Sequence, residues 1–596
     1  MTAVTQLVAP SGLETEPRPR PPAIRRNRRR PLSLRTVASA CTIAALVYLV
    51  LGPILMLILS SFEDTKFGVT IHPPFPWTLD NYDKVFLSGQ TYMLLGVTLL
   101  FSAACLSFAF VVSLLFSWLI ERTDLPFRNG FYVLLVAPAG MPGLISAIAW
   151  GILLNPSNGY INLALRRLFG FGNDGPFNVY SLPWMIFVQG LALVPITFLL
   201  ITASLRNINP VLEEAARTSG AGFVTMVRKI SLPLLRPAIV GALIYQFLTV
   251  IEAVDIPLVL GLPGNVRVFS TEVYRVTHPA FGLPDYGLSS AHGVLLLALA
   301  LAPFVFYNRI IGRAQDYATV TGKNFRPKVL ELGKWKAVAV LAASAFVFIS
   351  FILPMLVLLW ASTQPYLGAI DRAAFGRMSL RGYRETLSAG LFTSSLRNTL
   401  ALGFGAALLA MVLSMLVSWI IVRSRSRYRW VADWLAFMPH AMPGVVIGLA
   451  TLLIYLILPV GVYGTIWIIV IAMGTQYVSL GTRLSTSGIA QIQRALEEAA
   501  EASGAQAWQV WRHVLIPLLK PVFLNGFLLI FLASVKNLTL PLMLQSPGNV
   551  VFATLIYNRW DYGDVTGAAV LSVVLTAITV TAALALRQAS GPSEGF

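Results

Sequence analysis

The sequence predicts an all-α, polytopic membrane protein of about twelve transmembrane helices, built as two parallel six-helix repeats about a pseudo-two-fold axis. Three observations carry this prediction: composition, the length of the uncharged runs, and a long internal repeat. Of 596 residues, 56% are hydrophobic and 12% are charged, about half the charge fraction of a soluble domain. Uncharged apolar runs cover Val37 to Phe62, Val85 to Ile120, Asn129 to Leu165, Gly175 to Leu205, Tyr286 to Asn308, Asn398 to Val422 and Val565 to Leu586. Each exceeds the roughly 20 residues that cross a bilayer as a helix. Trp434 to Thr482 is long enough for two crossings, with a turn near Pro459 to Gly464. Backbone groups in lipid must be satisfied locally, so these runs form a helical bundle.

In chain order, residues 1–36 form a basic tail, 37–311 a first membrane domain, 312–336 a basic linker, 337–587 a second membrane domain and 588–596 a short tail. If the N-terminus is cytoplasmic and the crossings alternate, the cytoplasmic segments carry +19 of a formal net charge of +18, and the external segments are nearly neutral. This is the asymmetry of the positive-inside rule. It places both termini in the cytoplasm of a multi-pass protein of the bacterial inner membrane. The tail "RPRPPAIRRNRRRPLSLR" reads as a topogenic segment that touches anionic membrane lipid rather than as a nucleic-acid arm. The first apolar stretch is too long for a signal-peptide core and is expected to be retained. Cys41 and Cys105 both lie in apolar runs and imply neither a disulfide framework nor a metal site.

The repeat is explicit. Leu212 to Val240 and Leu496 to Leu524 share 13 identities in 29 positions at an offset of 284. "IPLVLGLPGNV" (Ile256 to Val266) lies over "LPLMLQSPGNV" (Leu540 to Val550) at the same offset. Upstream, "APAGMPG" (Ala137 to Gly143) matches "MPHAMPG" (Met438 to Gly444), and "SWLIER" (Ser117 to Arg122) matches "SWIIVR" (Ser418 to Arg423), at an offset of 301. The 17 extra residues of the first half fit the loop "NPSNGYINLALRRLFGFGNDGPFNVYS". Six crossings per half return the chain to one side, which makes the copies parallel.

Within the repeated segment, Asn209-Pro210 is a helix start, "VLEEAART" contains good helix formers, and Gly220 supplies a turn. A second short helix, Gly222 to Ile230, is expected to end at Pro233. The small Ala215 and Ala216 permit close approach by a partner, and Glu213 and Glu214 offer polar anchors. Glu497, Glu498, Ala499, Ala500 and Gly504 repeat the pattern. Two copies suggest a dimeric partner that needs two sockets.

The pattern E-A-A-x3-G-x9-I-x-L-P resembles that of the integral-membrane subunits of binding-protein-dependent ABC importers. The first half meets it at Glu214, Ala215, Ala216, Gly220, Ile230, Leu232 and Pro233. The second meets it at Glu498, Ala499, Ala500, Gly504 and Pro517, with Val514 and Ile516 in place of Ile and Leu. The resemblance implies that each loop is a coupling helix docked in a groove of a cytoplasmic ATPase, that the partner is a homodimeric ATPase binding ATP and Mg, and that an extracytoplasmic binding protein delivers the solute. It implies a fused pair of permease domains, similar to the ferric-iron importers and to the thiamine and aminoethylphosphonate systems. Pro257 to Arg275 looks most iron-type, so ferric ion is the expected solute.

No catalytic set is evident. "GFGNDG" (Gly170 to Gly175) follows no strand, and "TGKN" (Thr321 to Asn324) lacks the rest of a phosphate loop. His72, His278, His292, His440 and His513 show no metal-ligand spacing. The chain is therefore expected to hold no cofactor and to hydrolyse no ATP itself. A membrane-embedded enzyme would need convergent catalytic residues, and a secondary transporter would not need the repeated helix pair. Within the apolar runs the exceptions are Glu252, Asp255 and Lys536. An ionisable group at mid-membrane costs roughly 2.5–3.5 kcal/mol on insertion scales, so it should face the bundle interior or a cavity. Glu252 and Lys536 occupy equivalent positions, 284 apart. They are expected to line the translocation path with Asp255 and to form one electrostatic unit.

Overall fold

The apolar runs fold as helices, and the places where they break recur in both halves. The computed structural model describes residues 34–65, 76–170, 175–207, 215–216, 218–311, 330–424 and 429–589. Among these, extended pairing is limited to two isolated bridges, Glu63–Trp77 and Thr123–Leu330.

The first half comprises α1 (Val37–Ser61), α2 (Gly89–Arg122), the pair α3 (Arg128–Gly140) and α4 (Gly143–Leu154), α5 (Leu182–Asn207), α6 (Leu232–Ile251), the short α7 (Phe269–Thr277) and α8 (Tyr286–Ile311). The second comprises α9 (Gly333–Thr363), α10 (Gly390–Arg423), the pair α11 (Arg429–Ala441) and α12 (Gly444–Ile457), α13 (Ile466–Gln491), the surface helix α14 (Arg494–Ala502), α15 (Ile516–Lys536), α16 (Phe552–Asp561) and α17 (Val565–Ala589). Eight described helices are long and apolar enough to cross a membrane outright, and three helix pairs bent at a break bring the number to eleven if each pair is one crossing. α13 makes the twelfth. Its 26 residues span about 39 Å at 1.5 Å per residue, and it holds the place of α5 at the 284-residue offset. Gln476, Thr482 and Arg483 make it less apolar than the other crossings.

The two halves share internal hydrogen bonds as well as sequence. Ser113 and Ser117 of α2 donate to the Val194 and Phe198 carbonyls of α5 at 3.0 and 3.3 Å. Ser414 and Ser418 of α10 donate to Val478 and Thr482 of α13 at 3.0 and 3.1 Å. Small hydroxyl residues let paired helices approach closely in an apolar bundle. The first crossing of each half lies against the other half. α1 packs on α12, where a Cβ on Gly52 would sit 3.3 Å from Ile454, and α9 packs on the α3–α4 pair and sets Phe346 against Phe116 of α2 at 5.2 Å between centroids.

Two expectations change. Asn129 to Leu165 is not one straight apolar crossing, because α3 and α4 meet at 93° around Met141-Pro142-Gly143. Its counterpart, α11–α12, bends by 108° around Met442-Pro443-Gly444. Pro142 and Pro443 take extended backbone with ψ of 142° and 137°, which ends one helix and starts the next. Pro233 does not stop a short helix either. A turn at Phe223–Met226 runs into a π turn at Val227–Ser231, and α6 continues through Pro233 in its first turn. The same device precedes Pro517, with a π turn at Trp511–Leu515. A proline ring clashes with the carbonyl four residues back and lacks a donor. The wider π turn relieves both defects without ending the helix.

Candidate functional site

The repeated segment forms a helix that ends on a glycine in the left-handed region. In the second copy, α14 has no buried residue and stops at Gly504, φ +88°. Ser503 N–H donates to the Ala499 carbonyl and Ala505 N–H to Ala500, both at 3.0 Å. In the first copy, Ser219 N–H donates to Ala215, Ala221 N–H to Ala216, and Gly220 has φ +82°. Only glycine takes this conformation without strain, and the six-to-one bond satisfies orphan carbonyls at the helix end. Glu213 and Glu214 lie outside the described residues. Ala215 and Ala499 are exposed, and Ala216 and Ala500 are half-buried. Leu496 and Trp508 flank the second copy at 49% and 60% exposure, so a small-residue face with an apolar rim stands open at this end of the bundle.

The two glutamates of α14 have different surroundings. Glu497 pairs with Arg423, the last residue of α10, at 2.6 Å, and both side chains are nearly buried. Arg423 also donates to the Ile489 and Ile492 carbonyls at 3.3 and 2.7 Å. It thus ties the base of α14 to the end of α13. Glu498 points outward and, among the described residues, pairs with the exposed Arg494 of its own helix, at 3.3 Å. Arg122, the counterpart of Arg423, is buried and donates to the Leu205 carbonyl at 2.9 Å.

The mid-membrane groups converge on the bends of α3–α4 and α11–α12. Glu252, which ends α6, accepts a hydrogen bond from Gly444 N–H at 3.1 Å, at the start of α12 in the other half. Lys536, which ends α15, donates to the Ala139 carbonyl at 2.9 Å, beside the α3–α4 bend of the first half. The Leu144 N–H at the start of α4 and the Thr539 hydroxyl lie near the Asp255 carboxylate. Asp255 and Thr539 are repeat counterparts, 284 apart, so their proximity marks the pseudo-two-fold axis. Gly143 and Gly444 are required by these approaches. A Cβ on Gly143 would sit 3.1 Å from Asp255 Oδ2, and one on Gly444 would sit 3.3 Å from Gln476 Nε2.

Glu252 and Lys536 are therefore not one electrostatic unit; they do not form an ion pair. The physical reason is that each finds a helix end of opposite partial charge. The carboxylate meets the free N–H groups of a helix start, and the ammonium meets a carbonyl at a helix finish. Sequence reading also missed Tyr245, whose ring stacks on His440 across the two halves at 5.5 Å between centroids. The signal was present in the doubled M-P-G, which marks two helix starts in need of anions. Glu252 and Asp255 lie deep in the molecule yet stay only half-buried, so both face interior space. Among the described residues no cluster of His, Cys, Asp and Glu could hold a metal ion.

Comparison with known proteins agrees with this geometry. The family model described as "Binding-protein-dependent transport system inner membrane component" matches residues 113–317 and again 406–593. A ferric transport system permease protein of Actinobacillus pleuropneumoniae is 26% identical over 550 residues, 90% of this chain and 76% of that protein. An Fe(3+)-transport system permease protein of Haemophilus influenzae is 24% identical over 472 residues, 78% of this chain and 84% of that one. A protein of Salmonella typhimurium, provisionally named as a 2-aminoethylphosphonate transport system permease, is 28% identical over 258 residues, 43% of this chain and 95% of its own length.

Proposed function

The chain belongs to the binding-protein-dependent transport system inner membrane components, matched in both halves, and we propose on that premise how its two loops and its central charges serve transport. It is a multi-pass, inner-membrane ABC importer permease that binds and conducts solute and carries out no covalent chemistry. In our reading both termini and both repeated loops are cytoplasmic, and residues 37–311 and 337–587 are two fused permease domains. The repeated helices, through Glu213, Glu214, Ala215, Ala216 and Gly220 and through Glu498, Ala499, Ala500 and Gly504, sit in the grooves of two identical ATPase subunits that bind ATP and Mg. Glu497 acts from behind, holding α14 to Arg423. The observation that carries this reading is the matched pair of glycine-terminated helix ends, of which the fully described one, α14, has no buried residue.

The solute proposed is ferric ion, supported by relatives named for ferric transport that align along most of this chain. An external binding protein delivers it. Closure of the ATPase pair draws the two loops together and moves the bends that Glu252, Asp255 and Lys536 hold. The path then runs between the halves, where these three groups lie at helix ends rather than in lipid. Co-expression with the ATPase and binding protein, followed by uptake of radiolabelled ferric ion, tests the solute. Uptake of thiamine or aminoethylphosphonate instead would overturn the solute and leave the coupling reading intact. ATP-independent uptake driven by an ion gradient would overturn the importer mechanism.

A further inference from the structure

A cleft lies in the first half, at the end of the bundle away from the repeated loops. It has a volume of about 710 Å³ and runs between the segment Asp80–Phe86, the start of α2, α7 and α8. Its upper wall is charged: Lys84, Arg267 and Arg275 line it together with Asp83 and Glu272. Its lower wall is apolar, formed by Met93, Leu94 and Val97 one to two turns further along α2. Leu87 and Met93, at the mouth, are 82% and 72% exposed, so the cleft opens sideways from the bundle.

Depth in the bilayer follows from helix length. α2 has 34 residues and spans about 51 Å, against a hydrocarbon core of about 30 Å. Its first turns therefore stand at headgroup level, and Met93 to Val97 lie at the start of the acyl chains. The cleft changes from charged to apolar in the same direction as a phospholipid does.

Not all of the basic charge on the upper wall is paired internally. Arg275 is committed to the nearly buried Glu272, with contacts of 2.5 and 3.1 Å. Arg267 has no ion-pair partner among the described residues and stands near that carboxylate. Arg267 also has no repeat counterpart. The Val268 N–H bond to Thr271 Oγ1 matches that of Val551 to Thr554, an offset of 283 where the preceding stretch keeps 284. One residue has been inserted in the first half, and it is Arg267. At the position of Glu272 the second half has Leu555.

We propose that this cleft binds the headgroup of an anionic phospholipid, with the phosphate on Arg267 and the first acyl carbons against Met93, Leu94 and Val97. The site belongs to the first half alone and fixes one lipid at the edge of α2 and α7.

The test uses the purified full chain in detergent. Native mass spectrometry and thermal unfolding are followed as phosphatidylglycerol, phosphatidylcholine or inorganic phosphate is added. The expected result is retention of one phosphatidylglycerol with a rise in Tm that phosphatidylcholine and inorganic phosphate do not give. Arg267→Gln weakens that binding at least about tenfold, as loss of a charge-assisted hydrogen bond does, and Arg267→Lys keeps most of it. Val97→Trp, which fills the acyl end without changing charge, also weakens it and serves if Arg267→Gln does not fold. Undiminished phosphatidylglycerol binding in Arg267→Gln or in Val97→Trp overturns the proposal. Equal stabilisation by inorganic phosphate overturns the lipid assignment in favour of a free-anion site.

Discussion

Glu252 of the first half caps Gly444 of the second, its Oε2 3.1 Å from the backbone N–H that begins α12. The contact joins the end of one crossing to the bend of another across the pseudo-axis. It replaces the ion pair with Lys536 that equal repeat positions suggest.

Removing this cap should loosen the α11–α12 bend. Glu252→Ala is expected to destabilise the protein by about 1 kcal/mol, the usual scale for a lost helix cap. Glu252→Gln retains an acceptor and should cost less. The charge-exchanged double variant, Glu252→Lys with Lys536→Glu, should not restore function, because each new side chain faces a helix end of its own sign. Thermal unfolding with uptake distinguishes the cases; recovery in the double exchange would show that the two charges act as a pair after all.

Gly143 and Gly444 should tolerate a branched side chain poorly. A Cβ at Gly143 lies 3.1 Å from Asp255 Oδ2, tighter than ordinary contact, so the carboxylate must retreat from the start of α4. Gly143→Val is expected to lower solute uptake more than it lowers membrane abundance. Wild-type uptake per molecule would remove Asp255 from the account.

Arg423→Ala should free α14 without unfolding the bundle. It strips Glu497 of its partner and two carbonyls of their donor, a cost of about 1–3 kcal/mol for a partly buried charged contact. Hydrogen exchange should rise over Arg494–Ala502 and stay low over α10 and α13. Unchanged protection in α14 would mean that the Arg423–Glu497 pair does not hold it.

The linker side of the first half should respond to acid. Leu330 pairs with the segment Arg122–Asp124, and Lys336 meets Asp124 at 2.7 Å. The Lys336 hydrogen bond, with the Leu332 N–H, holds the Asp124 carboxyl below its ordinary value. A carboxylate whose native pKa is lowered adds stability above its unfolded pKa and loses it as pH falls through the native value. Hydrogen-exchange protection of the Leu330 and Leu332 amides should therefore fall only in acid, and Asp124→Asn should lose that protection already at neutral pH. Identical acid profiles would detach Asp124 from the docking.

Much of this was legible in the sequence. Uncharged runs located the crossings, and the turn expected at Pro459 to Gly464 falls between α12 and α13. The doubled E-A-A segment and its glycine located both surface helix ends. Proline, by contrast, misled. Pro233 reads as a stop, because a linear pattern carries no information on the π turn before it. The central charges were found but wrongly partnered. Repeat position says which residues are equivalent, whereas their contacts depend on the bends at Pro142 and Pro443, which aim helix ends of the opposite half at them.

Orientation is open to direct test. Thr218→Cys and Ala502→Cys should resist impermeant thiol reagents in intact cells and react after permeabilisation. Labelling from outside would reverse the topology and remove both coupling loops with it.

The most direct measurement is ATP hydrolysis by the chain reconstituted with its ATPase and solute-loaded binding protein, comparing wild type with Glu498→Arg. Glu498 is exposed and, among the described residues, pairs only with Arg494 of its own helix, so the change leaves the fold in place. The account predicts normal membrane abundance with loss of both ATPase co-purification and stimulated hydrolysis. Full stimulation in Glu498→Arg combined with Glu214→Arg would contradict it.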